Sequence, residues 1–283
     1  MKIEQVNPRF TLVEVNREIH TLQLSDVHYD SKECDRDLLD RHLREAEKRG
    51  ALVFINGDWF DLMQGKKDPR GSYSSLRPEY KAANYLDLVI QESADYLSKF
   101  NLQYIIGRGN HETNITERMH HDPIASLAML MRMQGKDVTD VGYDGYICYR
   151  MRWSSYVGSV VQYFHHGYGG AAPRSKGVLN ADLNQAAYPD ADIYTTGHTH
   201  NKTYIPLIAE KVSPSSGTIR RQVCHHIQTG SYKKLSDMGW AKEKGFKATP
   251  MGGWWLDIRV RQTSGSDTQS RSKENVITVT PAQ

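Results

Sequence analysis

Apolar residues in this chain come in short runs that stop abruptly at polar clusters. Residues 10–15 alternate as a half-buried strand does, and residues 19–26 end their apolar stretch in Ser25 and Asp26. Residues 35–50 change period. Leu38, Leu39 and Leu43 sit at helical spacing among charges, and Gly50 marks a helix stop. Residues 51–56 and 102–107 read as buried strands. Between them, residues 64–78 are rich in Gly, Pro, Ser and basic side chains and predict a loop, and residues 79–100 predict a helix. A further helix is expected over 123–133. Residues 146–151 and 157–164 predict a strand pair turning around residues 153–156. A helix over 178–188 and a strand over 191–197 come next. Residues 203–209, 220–229 and 254–260 are β-like, with polar turns between them.

Strand–helix alternation followed by a β-rich half predicts an α/β fold with two sheets packed together. No repeat and no interdomain linker is visible. Residues 1–262 are expected to form one domain. Residues 263–283 then form a polar tail with room for one last strand, and residues 263–275 are expected to be mobile, being rich in Ser, Thr, Gln and Arg.

Composition changes this picture little. The 283 residues suffice for one large α/β domain or two small ones, and 24% charged with 39% hydrophobic residues is ordinary for a globular chain. The formal charge of +3 is compatible with an anionic substrate but far from the basic stripe of a DNA-coating protein. Cys34, Cys148 and Cys224 are odd in number and far apart, which argues against disulfides and a cysteine zinc site. Reduced thiols, no signal-peptide h-region and no membrane-length apolar run lead to the expectation of a cytoplasmic protein with no membrane partner.

The chemistry is concentrated where apolar runs end. LQLSDVH places Asp26 and His28 two apart, so both side chains leave one face of a strand end. FINGDWFD offers Asp58 after the turn-permitting Gly57, and Asp61 three residues on. IIGRGNHE supplies the amide of Asn110, followed by His111 and Glu112. QYFHHG ends in His165 and His166, and TTGHTH repeats the two-apart geometry with His198 and His200. A lone histidine is more often a core or surface residue than a ligand. Five such motifs in series, each capping an apolar run, are poorly explained that way. Open α/β sheets place their ligands at these strand ends.

The series DVH, GDWFD, GNHE, HHG and GHTH resembles the calcineurin-like metallophosphoesterase superfamily, and it spans residues 26–200. The resemblance implies a four-layer fold, two mixed β-sheets packed as a sandwich and flanked by helices. It implies that Asp26, His28 and His200 bind one metal and Asn110, His166 and His198 a second, with Asp58 bridging. His111 matches the family's catalytic histidine, and Asp61 the carboxylate that orients it. Glu112 is expected to support them. The family's histidine directly precedes its glycine, which favours His166; His165 stays open as the alternative ligand. The resemblance also points to a bacterial or phage source.

Mixed oxygen and imidazole ligands suit two divalent ions, Mn²⁺ foremost, with Zn²⁺ or Fe as alternatives. Two such ions can clamp a phosphate ester, acidify a shared water so that hydroxide attacks, and stabilise the leaving oxygen. The position occupied by Asp61 is tyrosine in purple acid phosphatases, so no Fe³⁺–tyrosinate colour is expected. Candidate substrate contacts are Tyr168, Arg174 and Lys176 after the HHG motif, and Arg70 and Tyr73 in the basic loop, with Lys66, Lys67 and Arg77 nearby. Each loop cation is as well explained by a solvated loop.

Trp240, Trp254 and Trp255 are interleaved with Lys233, Lys234, Lys242, Lys244 and Lys247, which suits nucleic acid or nucleotide stacking. A core Trp254–Trp255 pair and an exposed basic turn are the alternative, which is favoured for Trp254 and Trp255, while Trp240 stays open. His225 and His226 point to alternate faces and suit a structural role, while His120 and His121 are open between pocket wall and loop surface. The leading function is hydrolysis of phosphodiesters in a nucleic acid or nucleotide. A phosphomonoesterase is the alternative; within it a protein phosphatase is weakened, because Leu62 and Thr113 stand where protein phosphatases carry arginine after these motifs. A catalytically inactive scaffold is disfavoured because no expected ligand is missing.

Overall fold

Alternation along each strand decides what its two faces meet. The computed structural model describes residues 1–62, 75–169, 180–234, 249–264 and 271–283. The chain runs β1 (Lys2–Asn7), β2 (Phe10–Val15), β3 (Glu18–Leu24), α1 (Arg36–Arg49), β4 (Leu52–Ile55), α2 (Tyr85–Leu97), β5 (Gln103–Ile106), α3 (Asn110–Met119), α4 (Pro123–Met133) and β6 (Val138–Asp140). It continues through β7 (Asp144–Trp153), β8 (Tyr156–His165), α5 (Asn180–Ala187), β9 (Ile193–Thr196), β10 (Thr203–Ser213), β11 (Thr218–Gln228), β12 (Trp254–Ser264) and β13 (Arg271–Pro281).

A six-stranded sheet has the order β13-β12-β3-β4-β5-β6, and a seven-stranded sheet the order β1-β2-β7-β8-β9-β11-β10. Both mix parallel and antiparallel pairs. In β4, Val53 and Ile55 share a core with Leu39 and Leu43 of α1 and Val89 of α2, whereas Leu52 and Phe54 pack with Ile147, Phe164 and Ile193 of the other sheet. Both faces of the strand are apolar because both are covered. A smaller cluster around Tyr163, Tyr194 and Tyr188 fills the outer face of the seven-stranded sheet beside α5. The result is the expected α/β sandwich of two mixed sheets flanked by helices.

Local signals explain the helix ends. The Asp35 carboxylate accepts a bond from the Leu38 N–H at 3.0 Å, and Gly50 closes α1 at φ 58°. The helix expected over 79–100 begins only at Tyr85. Pro78–Tyr80 forms a 3₁₀ turn instead, because Tyr80 is buried and its hydroxyl takes a bond from Arg36 at 2.6 Å. Pattern reading missed α3, whose first turn is polar rather than amphipathic. Glu112 at its third position reaches back to the Gly109 N–H at 2.8 Å, a capping device. Residues 271–275, expected to be mobile, are held in β13, which pairs with β12 from Trp254↔Pro281 to Ser264↔Arg271.

All three cysteines are free and buried. No helix among the described residues is long and apolar enough to cross a membrane. Strands β3, β4, β5, β8 and β9 bring their carboxyl ends to one edge of the sandwich, and the five polar motifs gather there.

Candidate metal centre

The loops after β3 and β4 are bonded together before any side chain is considered. The N–H groups of Asp26, Val27 and Tyr29 donate to the carbonyls of Gly57, Asp58 and Trp59 at 3.1, 2.8 and 2.8 Å. This forces unusual backbone. Asp26, His28, Asp58, His198 and His200 all have φ between 50° and 68°, a region costly for residues with a Cβ. Such strain persists where surrounding structure holds it, and it gathers at functional sites. Space is equally constrained: a Cβ on Gly57 would stand 2.6 Å from His166 Nδ1.

Among the described residues the side chains converge in three partly overlapping groups, one of them His28, Asp61 and His111. Asp26, His28 and His200 form the first, with His28 Nε2 and His200 Nε2 3.2 Å apart and Asp26 Oδ1 3.2 Å from His200 Nε2. Asp58, His166 and His198 form the second. Asn110 Oδ1 lies 2.7 Å from His198 Nδ1 and 3.2 Å from His166 Nε2, and Asp58 Oδ2 is 3.1 Å from that same nitrogen. His166 donates its other ring N–H to the Asn56 carbonyl at 2.7 Å, which fixes Nε2 as the nitrogen facing the site. The N–H of His111, in the first turn of α3, donates to Asp58 Oδ1 at 3.0 Å, so a helix N-terminus supports this carboxylate.

Charge in this region is unbalanced. Asp26, Asp30, Asp58, Asp61 and Glu112 are at most 1% exposed, and Lys233 is the one buried lysine or arginine among the described residues. Burial raises Glu112 to about 7, with Asp58 adding to it, and burial together with Asp61 raises Asp30. Burial opposes charge on Asp58 as well, but His166 and His111 hold its carboxyl well below the usual range. Burial likewise disfavours charge on His166, yet Asp58 lifts it to about 10. His28, whose burial outweighs Asp61, is lowered to about 4. Acceptor oxygens and imidazole nitrogens that crowd together with too few cations fit divalent metals.

A family model for calcineurin-like phosphoesterases matches residues 19–202, about two thirds of the chain. The chain belongs to that family. Membership makes the protein a metal-dependent hydrolase of phosphoesters, with the clustered aspartates and histidines as candidate ligands. No curated protein matches it. Among solved structures it is similar to GAP50, the anchor in the inner membrane complex of Plasmodium, at 12% identity over 92% of this chain and 89% of that one, with a TM-score of 0.44. A predicted phosphoesterase from Streptococcus pneumoniae TIGR4 shares 12% identity over 85% and 82% of the two chains, with a TM-score of 0.30.

Within this phosphoesterase, several residues stand differently from expectation. Asp61 does not meet His111 through its carboxylate, which lies 3.9 Å from His111 Nδ1. Its backbone carbonyl takes that nitrogen instead. The carboxylate is drawn away by Lys233 Nζ at 2.7 Å and His28 Nδ1 at 2.9 Å. Lys233, expected in an exposed basic turn, is 7% exposed. Its position is set by Tyr232, buried against His42, and by the bridge that pairs Lys233 with Cys34. Only the density of carboxylates in the motifs hinted that a buried cation would be needed.

His165 and His166 divide as strand alternation requires: His166 is fully buried toward the site, while His165 turns outward, its Nδ1 accepting the Gly167 N–H at 2.9 Å. Tyr168 is exposed, edge-on to His165 at 5.6 Å. Arg77 is structural, donating to the carbonyls of Ser31 and Cys34 at 3.1 Å. His225 bonds Tyr204, and His226 stacks on Tyr194 at 4.4 Å. Trp255 is buried, and Trp254 donates to the Gln228 carbonyl at 3.0 Å. Lys66, Lys67, Arg70, Tyr73, Arg174, Lys176, Trp240, Lys242, Lys244 and Lys247 lie outside the described residues.

Proposed function

We propose that the protein hydrolyses phosphodiesters, of a nucleotide or nucleic acid, with two divalent ions of which Mn²⁺ is the preferred pair. The observation that carries the reading is the pair of converging ligand groups on strained backbone, with Asp58 and Asn110 on the side of the second. Asp26, His28 and His200 would hold one ion, Asn110, His166 and His198 the other, and Asp58 would contact both. When bound, the ions supply neutralisation of phosphate charge and a water acidic enough to ionise near neutral pH.

His111 is the proton donor in this reading. Its Nδ1 is tied to the Asp61 carbonyl, and its Nε2 stands 3.7 Å from Asp58 Oδ2, at the edge of the site. That leaves Nε2 to protonate the departing oxygen. Two residues just past the GDWFD and GNHE motifs support a preference for diesters. Leu62 is buried and Thr113 is neutral, so these positions provide no guanidinium for the second charge of a monoester.

The test is hydrolysis of bis-p-nitrophenyl phosphate beside p-nitrophenyl phosphate, after stripping metals and reloading Mn²⁺, Zn²⁺ or Mg²⁺. The diester is expected to turn over faster with Mn²⁺; a faster monoester establishes the phosphatase alternative. His111→Ala is expected to slow esters with poor leaving groups by about 10²-fold and p-nitrophenyl esters much less, since p-nitrophenolate departs without a proton. Equal losses on both would remove His111 from that role.

A further inference from the structure

Adjacent histidines at the end of β8 send their rings to opposite faces. His166 enters the metal centre, and His165 opens onto a second space on the outer face of the seven-stranded sheet. That space is a pocket of about 190 Å³ between α5 and the ends of β8, β9 and β11. Gly167, Gly197 and Thr199, which flank ligands His166 and His198, form the wall it shares with the centre.

The far wall is one face of α5. Asn180, Leu183, Asn184 and Ala187 recur at helical spacing and border the pocket, as does Tyr188 just past the helix. The side-chain amides of Asn180 and Asn184 have no hydrogen-bond partner among the described residues, and both residues are only half-buried. Tyr188 is stacked on Tyr163 at 3.8 Å, which fixes an aromatic floor, and the Tyr168 ring stands exposed beside His165. Among the described residues no lysine, arginine, aspartate or glutamate borders this space. Its chemistry is aromatic, amide and hydroxyl.

Among the described residues a second phosphate would find no cation there, and a purely apolar group would leave the amides unpaired. A flat, neutral group with its own donors and acceptors satisfies both, and amides can present a donor and an acceptor side by side. We infer that this pocket receives the nucleobase of a nucleotide diester whose phosphate lies at the metal centre. The inference rests on the diesterase reading above and names its substrate class. Asn180 and Asn184 bond the base edge, and Tyr168 offers a ring face for stacking.

Two measurements test it. The first compares kcat/KM for the p-nitrophenyl ester of thymidine 5′-phosphate with that for bis-p-nitrophenyl phosphate, in the Mn²⁺-loaded wild type and in Asn180→Ala/Asn184→Ala. A preference of at least about thirtyfold for the nucleoside ester is expected, falling about thirtyfold in the variant, since two hydrogen bonds at roughly 1 kcal/mol each are lost. The second is saturation-transfer NMR of adenosine and thymidine with the metal-free protein, where signals present in the wild type are expected to vanish in the variant. No base preference, or a preference that survives the double substitution, overturns the pocket assignment, as does absence of nucleoside signal. If neither diester is hydrolysed under any metal while the nucleoside signal is present and variant-sensitive, the diesterase reading falls and the base site stands.

Discussion

Asp58→Ala is expected to remove both metals and to lower turnover by about 10³-fold. The magnitude reflects the several kcal/mol of charge stabilisation that bound metal supplies at a phosphoryl centre, at 1.36 kcal/mol per tenfold in rate. Asp58 is singled out because in the reading above it would contact both ions. It lies 3.1 Å from His166 Nε2, and His28 is among the residues that hold its pKa down. Substitution of Asp26 would remove a candidate ligand from one group only. Metal analysis by mass spectrometry of protein dialysed against limiting Mn²⁺ separates the two cases. Asp58→Ala should retain well under one ion per chain, and Asp26→Ala close to one. Two tightly held ions in Asp58→Ala would refute the bridging role. Folding is checked on the same sample by far-ultraviolet circular dichroism. Loss of this buried carboxylate leaves His166 without its charge partner, so the variant should be less stable than the metal-free wild type, and the comparison is made at a temperature where both are folded.

The sequence conveyed the centre better than it conveyed the elements around it, and the reasons are physical. Candidate ligands such as Asp26 and His198 stand at the ends of apolar strands, where a polar residue interrupts a run and is conspicuous. Helix α3 carries Asn110 and His111 but has a polar first turn, so apolar periodicity gave no sign of it. Its signal was the cap formed by Gly109 and Glu112, which becomes legible only once a helix is suspected. Strand β13 was obscured by composition. Lys273, Glu274 and Asn275 face solvent or only partly pack on an edge strand, so polarity there suggested mobility. Long-range partners are the hardest to read. Nothing local to Lys233 announces that Asp61, 172 residues away, will need its charge.

Lys233→Met is expected to destabilise the metal-free protein by about 3–5 kcal/mol, the usual cost of breaking a buried ion pair by removing one partner. The Lys233 ammonium is 2.7 Å from Asp61 Oδ1, and the two side chains are 6% and 1% exposed. Burial alone would raise the Asp61 pKa, but Lys233, followed by His28, holds it far below the usual carboxylate range. The pair's contribution to stability is therefore lost in acid. A carboxyl whose folded pKa is depressed contributes stability above its unfolded value near 4, and that contribution fades as pH falls below it. Between pH 6 and 8 the full penalty should be seen in the variant, as a melting temperature lower by roughly 10 °C at 2–4 °C per kcal/mol for a chain of this size. The pair, rather than the lysine's packing, is isolated by a second change. Asp61→Asn/Lys233→Met leaves no buried charge at the position and should recover most of the loss, because buried pairs replaced together are often near neutral. The cycle is measured by urea unfolding at pH 7 with a chelator present. If Lys233→Met unfolds within about 0.5 kcal/mol of wild type, or the double variant is no better than the single, the ion pair is not what holds Asp61 in place. Recovery of stability without recovery of Mn²⁺ binding would show that Asp61 also orients His28, whose Nδ1 it faces at 2.9 Å.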